Sequence, residues 1–286
     1  MKKNKRNKKK NRQEKRNWPG VLLALALLFF VPGMTGFLQT VLEIQKEPEP
    51  GNNLPAFRKF DIAGNHLEQT YEWGEKEYRS LAVSFLYYDG KIKKTDSLCS
   101  PFSWYGMLVP ETQTKEYEEM FAAVLADGKV FPVPEDVKNG QTVTYEDSWG
   151  GERNYGGERH HEGTDLMPTT EERGYFPVVS ASDGVVEKKG WLNLGGYRLG
   201  VRAPHGAYYY YAHLERYADG IEEGTEVKAG DVIGYMGDTG YGEEGTTGKF
   251  DVHLHFGIYI RLAEQEVSVN PYGILRGLEK RKVKWE

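Results

Sequence analysis

Apolar and polar positions divide the chain into stretches of different texture. After a polar start, no charged residue occurs from Trp18 to Leu42, and the run VLLALALLFFV from Val21 to Val31 is continuously apolar. About 20 apolar residues span a bilayer, so the pattern predicts a transmembrane anchor over 18–44, kinked by Pro32, Gly33 and Gly36. Residues 45–56, QKEPEPGNNLPA, read as a solvated linker. In 57–139 the apolar positions become helix-spaced. Leu67, Tyr71, Tyr78, Leu81, Phe85 and Leu86 share one pattern, and Tyr117, Met120, Phe121, Val124 and Leu125 form another, which Asp127-Gly128 can end.

From about 140 the period shortens. β-branched and aromatic runs at 176–180, 184–190, 197–203, 207–214, 231–237 and 251–260 alternate with turn dipeptides such as Asp183-Gly184, Gly195-Gly196 and His205-Gly206. This spacing predicts an antiparallel, mainly β domain over 140–286, preceded by a small helical accessory region. No repeat of fixed period is visible.

Charge refines the picture. Residues 1–17 hold ten Lys or Arg and a single acid, Glu14; the remaining 27 basic and 41 acidic residues leave −14 on 18–286. Cations beside an apolar span place the N-terminus in the cytoplasm and the C-terminal domain outside the cell membrane. A cleaved signal peptide has the same charge order, but no Ala-x-Ala follows the apolar run and Thr35-Gly36 is a poor substitute. The acidic body argues against nucleic acid as a partner. A single cysteine, Cys99, excludes an intramolecular disulfide and a Cys-rich metal site.

Six of the seven histidines follow residue 159. In VHLHF, His253 and His255 share one face of a strand while Val252, Leu254 and Phe256 face the other. Paired imidazoles on one face are costly without partners; a metal ion or a substrate group would explain them, although such pairs also occur for structural reasons. In HEGTD, His161 and a carboxylate can close round one cation, with Asp165 favoured over Glu162 because Gly163 permits the turn. Zinc accepts both donor types, and catalytic zinc sites use three protein ligands. The Gly-rich stretch 237–251 precedes the His-x-His and can border a groove. It lacks the ending of a phosphate-binding loop.

Taken in order, HEGTD (161–165), DGVV (183–186), YAHL (211–214), EVKAGDVIGYMGDTG (226–240), HLHFGI (253–258) and NPYGIL (270–275) resemble the LytM/lysostaphin-type zinc endopeptidases, peptidase family M23. The resemblance covers roughly 145–275 and leaves 45–140 unmatched. It implies a LytM-type antiparallel sheet, Zn2+ held by His161, Asp165 and His255, and catalytic histidines at His213 and His253. It further implies peptidoglycan peptide as substrate, without saying which bond is cut. Tyr155 precedes the site and could help to hold an oxyanion; His160 and His205 read as structural. His253 is the expected proton acceptor and His213 the expected oxyanion stabiliser or acid, and the two roles can be exchanged.

Two other functions compete. One is a non-catalytic, membrane-tethered scaffold or regulator of another hydrolase, which the complete ligand set argues against. The other is a carbohydrate-binding module using part of the row Tyr208 to Tyr211, which leaves the converging polar side chains unexplained.

Overall fold

The computed structural model describes residues 32–44, 54–73, 76–153, 157–262 and 265–286. The chain divides into two compact units, 1–46 and 47–286. In the first, residues 32–44 form helix α1. The expected anchor over 18–44 falls largely outside the described residues, as do the basic tail and most of the linker. Among the described residues no helix is long and apolar enough to cross a membrane.

The second unit opens with helices α2 (Leu54–Lys59), α3 (Gly64–Trp73), α4 (Lys76–Tyr87), α5 (Trp104–Leu108) and α6 (Glu111–Leu125). Short strands β1 (Glu135–Asp136), β2 (Val143–Thr144), β3 (Glu152–Arg153) and β4 (Arg159–His160) lead into β5 (Thr164–Pro168) and β6 (Pro177–Val179). Then come β7 (Gly184–Leu192), β8 (Gly196–Arg202), β9 (Tyr208–Tyr217), β10 (Glu226–Val227), β11 (Val232–Met236), β12 (Leu254–Leu262) and β13 (Gln265–Val269). Helix α7 (Tyr272–Leu278) and β14 (Lys284–Trp285) close the chain.

The main sheet runs β10-β7-β8-β9-β12-β5-β2, with β11 against β9 and β6 and with β13 against β12. Its pairings are antiparallel. The mainly β architecture is therefore the one that the alternating pattern predicts. Alternation also sorts the two faces. Leu199 and Val201 of β8, Tyr209 and Tyr211 of β9, and Leu254, Phe256 and Ile258 of β12 are fully buried on the core side.

The helices cover that face. Phe57, Phe85 and Phe121 meet edge to face at ring separations of 5.1 to 5.9 Å, and their cluster is continuous with the sheet core. Polar links reinforce the contact: Asn270 N donates to Arg58 O at 2.7 Å, and His205 N donates to Asp127 Oδ2 at 2.7 Å.

One boundary differs from expectation. The predicted strand 251–260 begins only at Leu254, because His253 N pairs instead with Gly237 O at 3.0 Å in an isolated bridge. Strands β5 and β13 were not foreseen. β5 carries Thr164, Asp165 and Pro168 among its five residues and shows no apolar alternation, and tertiary pairing with β12 makes it a strand.

Candidate active site

The open face of the sheet forms the floor of a cleft of about 970 Å³, and β5, β9 and β12 each deliver side chains to one end of it. β5 and β12 are in register at Asp165 and His255, so these side chains stand directly opposite each other. His161 reaches the same point from the turn before β5. Its backbone is held on both sides, His161 N donating to Gly151 O at 2.8 Å and Gly150 N to His161 O at 2.7 Å.

Three atoms converge there. His161 Nε2 lies 3.0 Å from Asp165 Oδ1 and 2.9 Å from His255 Nδ1, and the latter is 3.0 Å from the same carboxylate oxygen. His161 Nδ1 is 3.0 Å from the Ser148 carbonyl, which can only accept; Nδ1 therefore carries a proton, and Nε2 is the ring nitrogen left to the triad. Burial opposes ionisation of Asp165, yet His161 and His255 outweigh it and hold the carboxyl far below the usual carboxylate range. Its other oxygen, Oδ2, accepts from Arg153 Nη2 at 2.8 Å. Two ring nitrogens and a carboxylate oxygen thus meet at hydrogen-bond range, an arrangement that a cation satisfies. Among the described residues this is the one group of three or more His, Cys, Asp or Glu placed to hold a metal ion. Two His nitrogens and one carboxylate oxygen, open on the cleft side, suit zinc with a free coordination position.

Gly163 makes the approach possible. A Cβ there would stand 2.6 Å from His255 Cε1 and Nε2 and 2.6 Å from Phe256 O, closer than packed atoms allow.

Two further histidines flank the triad. His253 Nδ1 donates to Asp251 O at 2.8 Å, which leaves Nε2 as an acceptor 3.8 Å from Asp165 Oδ1. His213 Nδ1 donates to Thr239 O at 2.8 Å, so its Nε2 is likewise unprotonated. The two rings are 4.7 Å apart. Burial first, and then His253 and His255, keep His213 well below its ordinary pKa.

His213 sits where β9 bulges. Against β8 the register passes from Tyr211↔Leu199 to Leu214↔Tyr197, so β9 holds one more residue than its neighbour. His213 takes φ +61°, a left-handed conformation that a non-glycine residue seldom adopts, and the bulge re-aims its ring. The loop 237–251 then covers it, with Phe250 at 4.6 Å and Tyr241 at 6.1 Å.

The profile of peptidase family M23 matches residues 159–271. The L-Ala–D-Glu endopeptidase of Bacillus subtilis (strain 168) is 45% identical over 137 residues, 48% of this chain and 41% of that protein. Lysostaphin of Staphylococcus simulans is 31% identical over 102 residues, 35% of this chain and 19% of that protein. A crystal structure from Ruminococcus gnavus ATCC 29149, described as a candidate glycyl-glycine endopeptidase LytM, superposes with a TM-score of 0.70. It is 42% identical and covers 81% of this chain and 93% of its own. This chain belongs to peptidase family M23. It spans less than half the length of the curated relatives it matches. The Ruminococcus match extends well beyond 159–271, so the helical layer is part of a shared architecture.

Within this M23 domain, the structure brings His161, Asp165 and His255 to one point and sets His213 and His253 beside it. His205 stands apart, bonded through Nδ1 to Asp127 Oδ1 at 2.9 Å, and Tyr155 lies outside the described residues. His160 lines the cleft beside His161 without joining the triad. Sequence reasoning missed Arg153, and also the carbonyls of Ser148, Thr239 and Asp251 that set the histidine tautomers. Any residue type supplies a carbonyl, so the last three leave no trace in a sequence.

Gly163→Ala should displace His255 and weaken zinc affinity by roughly tenfold or more, read by competition with a chromophoric chelator, with far-UV circular dichroism unchanged. Native affinity in the folded variant would show that His255 does not need this approach.

Proposed function

We propose that this chain is a membrane-anchored zinc endopeptidase that hydrolyses peptide bonds in peptidoglycan. The observation that carries the reading is the meeting of His161 Nε2, Asp165 Oδ1 and His255 Nδ1 at 2.9 to 3.0 Å, with the imidazoles of His213 and His253 at its edge. When bound, zinc supplies a Lewis acid that polarises a carbonyl and acidifies water.

The chain's own residues divide the remaining work. His253 Nε2, with Nδ1 committed to Asp251 O, is the free base nearest the triad and accepts a proton from the attacking water. His213 Nε2, held by Thr239 O and shielded by Phe250, faces the same space and is placed to stabilise the developing oxyanion or to return a proton to the leaving amine. The cleft floor of Tyr208 and Tyr210 receives the rest of the peptide. The names of the relatives support peptide in the cell wall as substrate, since they include an L-Ala–D-Glu endopeptidase and a lysostaphin.

His213→Asn tests these roles, because Asn tolerates a positive φ. Cleavage of purified peptidoglycan should fall by about 10²- to 10⁴-fold while zinc content stays near that of the parent, and EDTA should abolish parental activity until zinc is restored. Full activity in the variant, or activity indifferent to EDTA, would contradict the mechanism.

The uncharged run from Trp18 to Leu42 behind ten cations supports single-pass anchoring, with the N-terminus cytoplasmic and the peptidase domain outside. The full-length protein should stay with membranes through alkaline carbonate washing, and a chain starting at residue 47 should be soluble. Release of the full-length protein by carbonate would sink the anchor.

A further inference from the structure

The relatives' names point to two kinds of bond. A glycyl-glycine bridge is uncharged, whereas a peptide containing L-Ala–D-Glu bears a free carboxylate beside the bond. The arginines that line the cleft bear on which of them this chain takes.

These arginines differ in their partners. Arg202 is neutralised by Glu187 at 2.6 Å and Glu266 at 2.7 Å, and Arg261 meets Glu266 at 3.2 Å. Arg198, on the same cleft wall, forms no ion pair among the described residues, and its Nη1 is shut off from solvent without a hydrogen-bond partner. Tyr208, Tyr210 and Tyr217 surround it closely enough for their hydroxyls to feel its charge. Gly200 keeps this floor low: a Cβ there would stand 1.8 Å from the Tyr208 hydroxyl. An unpaired, partly desolvated guanidinium is costly, and a planar carboxylate is the ligand that matches its donors.

Its position relative to the triad follows from the register. Ala212 of β9 is opposite His255, and Arg198 on β8 lies between the pairs Tyr197↔Leu214 and Leu199↔Tyr211, hence across from the Ala212–His213 bulge. Two strand spacings separate Arg198 from His255, roughly 10 Å between backbones. That is about three residues of extended peptide.

From this geometry we infer that Arg198 is a specificity-determining residue that binds a substrate carboxylate within about three residues of the scissile bond, and so directs this peptidase to acidic peptide rather than to glycine bridges. The inference rests on the peptidase reading, but binding can be measured without cleavage.

Two synthetic peptides serve as probes. Both contain an L-Ala–D-Glu bond, and they differ only in whether the D-Glu carboxyl is free or a carboxamide. Full-length protein is assayed for kcat/KM on each, and for binding of each by calorimetry with EDTA present. The free carboxylate should be favoured by about 10- to 100-fold in both measurements. Arg198→Gln should bring both ratios close to one, and Arg198→Lys should retain part of the preference. A purely structural role for Arg198 would lower both peptides together and leave the ratios intact, which would overturn the proposal. Equal handling of the two peptides by the parent protein would overturn it as well. Carboxylate-selective binding that Arg198→Gln removes, in a protein that cleaves neither peptide, would uphold the subsite and overturn the peptidase reading instead.

Discussion

Everything at the site depends on the antiparallel pairing of β5 with β12 that sets Asp165 opposite His255. A slip of one residue in either strand would turn one donor to the other face of the sheet. The buried side chains that alternate with the donors oppose such a slip, since Leu254 and Phe256 of β12 and Leu166 of β5 are fully enclosed. The hydrophobic core therefore fixes the spacing of the polar groups. Without a cation, His161 Nε2 and Asp165 Oδ1 stand 3.0 Å apart and can be reconciled only by a shared proton, which a bound metal would replace.

The same logic extends to the histidines beside the triad. Each has its Nδ1 tied to a backbone carbonyl, so each presents Nε2 as a base without any side-chain orienter. For His213 the arrangement needs a bulge and a left-handed backbone, and the surrounding structure over-determines both. His213 N is bonded to Gly195 O at 2.8 Å, and Thr239 ties the neighbouring segments together, its Oγ1 donating to Leu214 O at 2.7 Å and accepting from Tyr197 N at 3.0 Å.

Much of this was legible in the sequence, for identifiable reasons. Period-two alternation gave β8, β9 and β12 because each has a buried and an open face, and His253-x-His255 stood out because two imidazoles occupied the polar positions of such a strand. β5 was not legible, because its strand character comes from β12 and not from its own residues. Nor did the sequence single out Arg198, which is one arginine among several until the ion pairs of Arg202 and Arg261 are known. The helices over 57–139 were visible as amphipathic stretches, but their role as the cover of the sheet's buried face was not. That role depends on contacts such as Arg58 with Ser268, 210 positions apart in the chain.

The measurement that bears most directly on the account is zinc stoichiometry of the purified full-length protein, combined with X-ray absorption at the zinc edge. The account predicts about one zinc per chain, held by two imidazole nitrogens, a carboxylate oxygen and one further light-atom ligand, as a catalytic site with an open position requires. A shell saturated by four protein ligands, or no zinc retained at neutral pH, would contradict it.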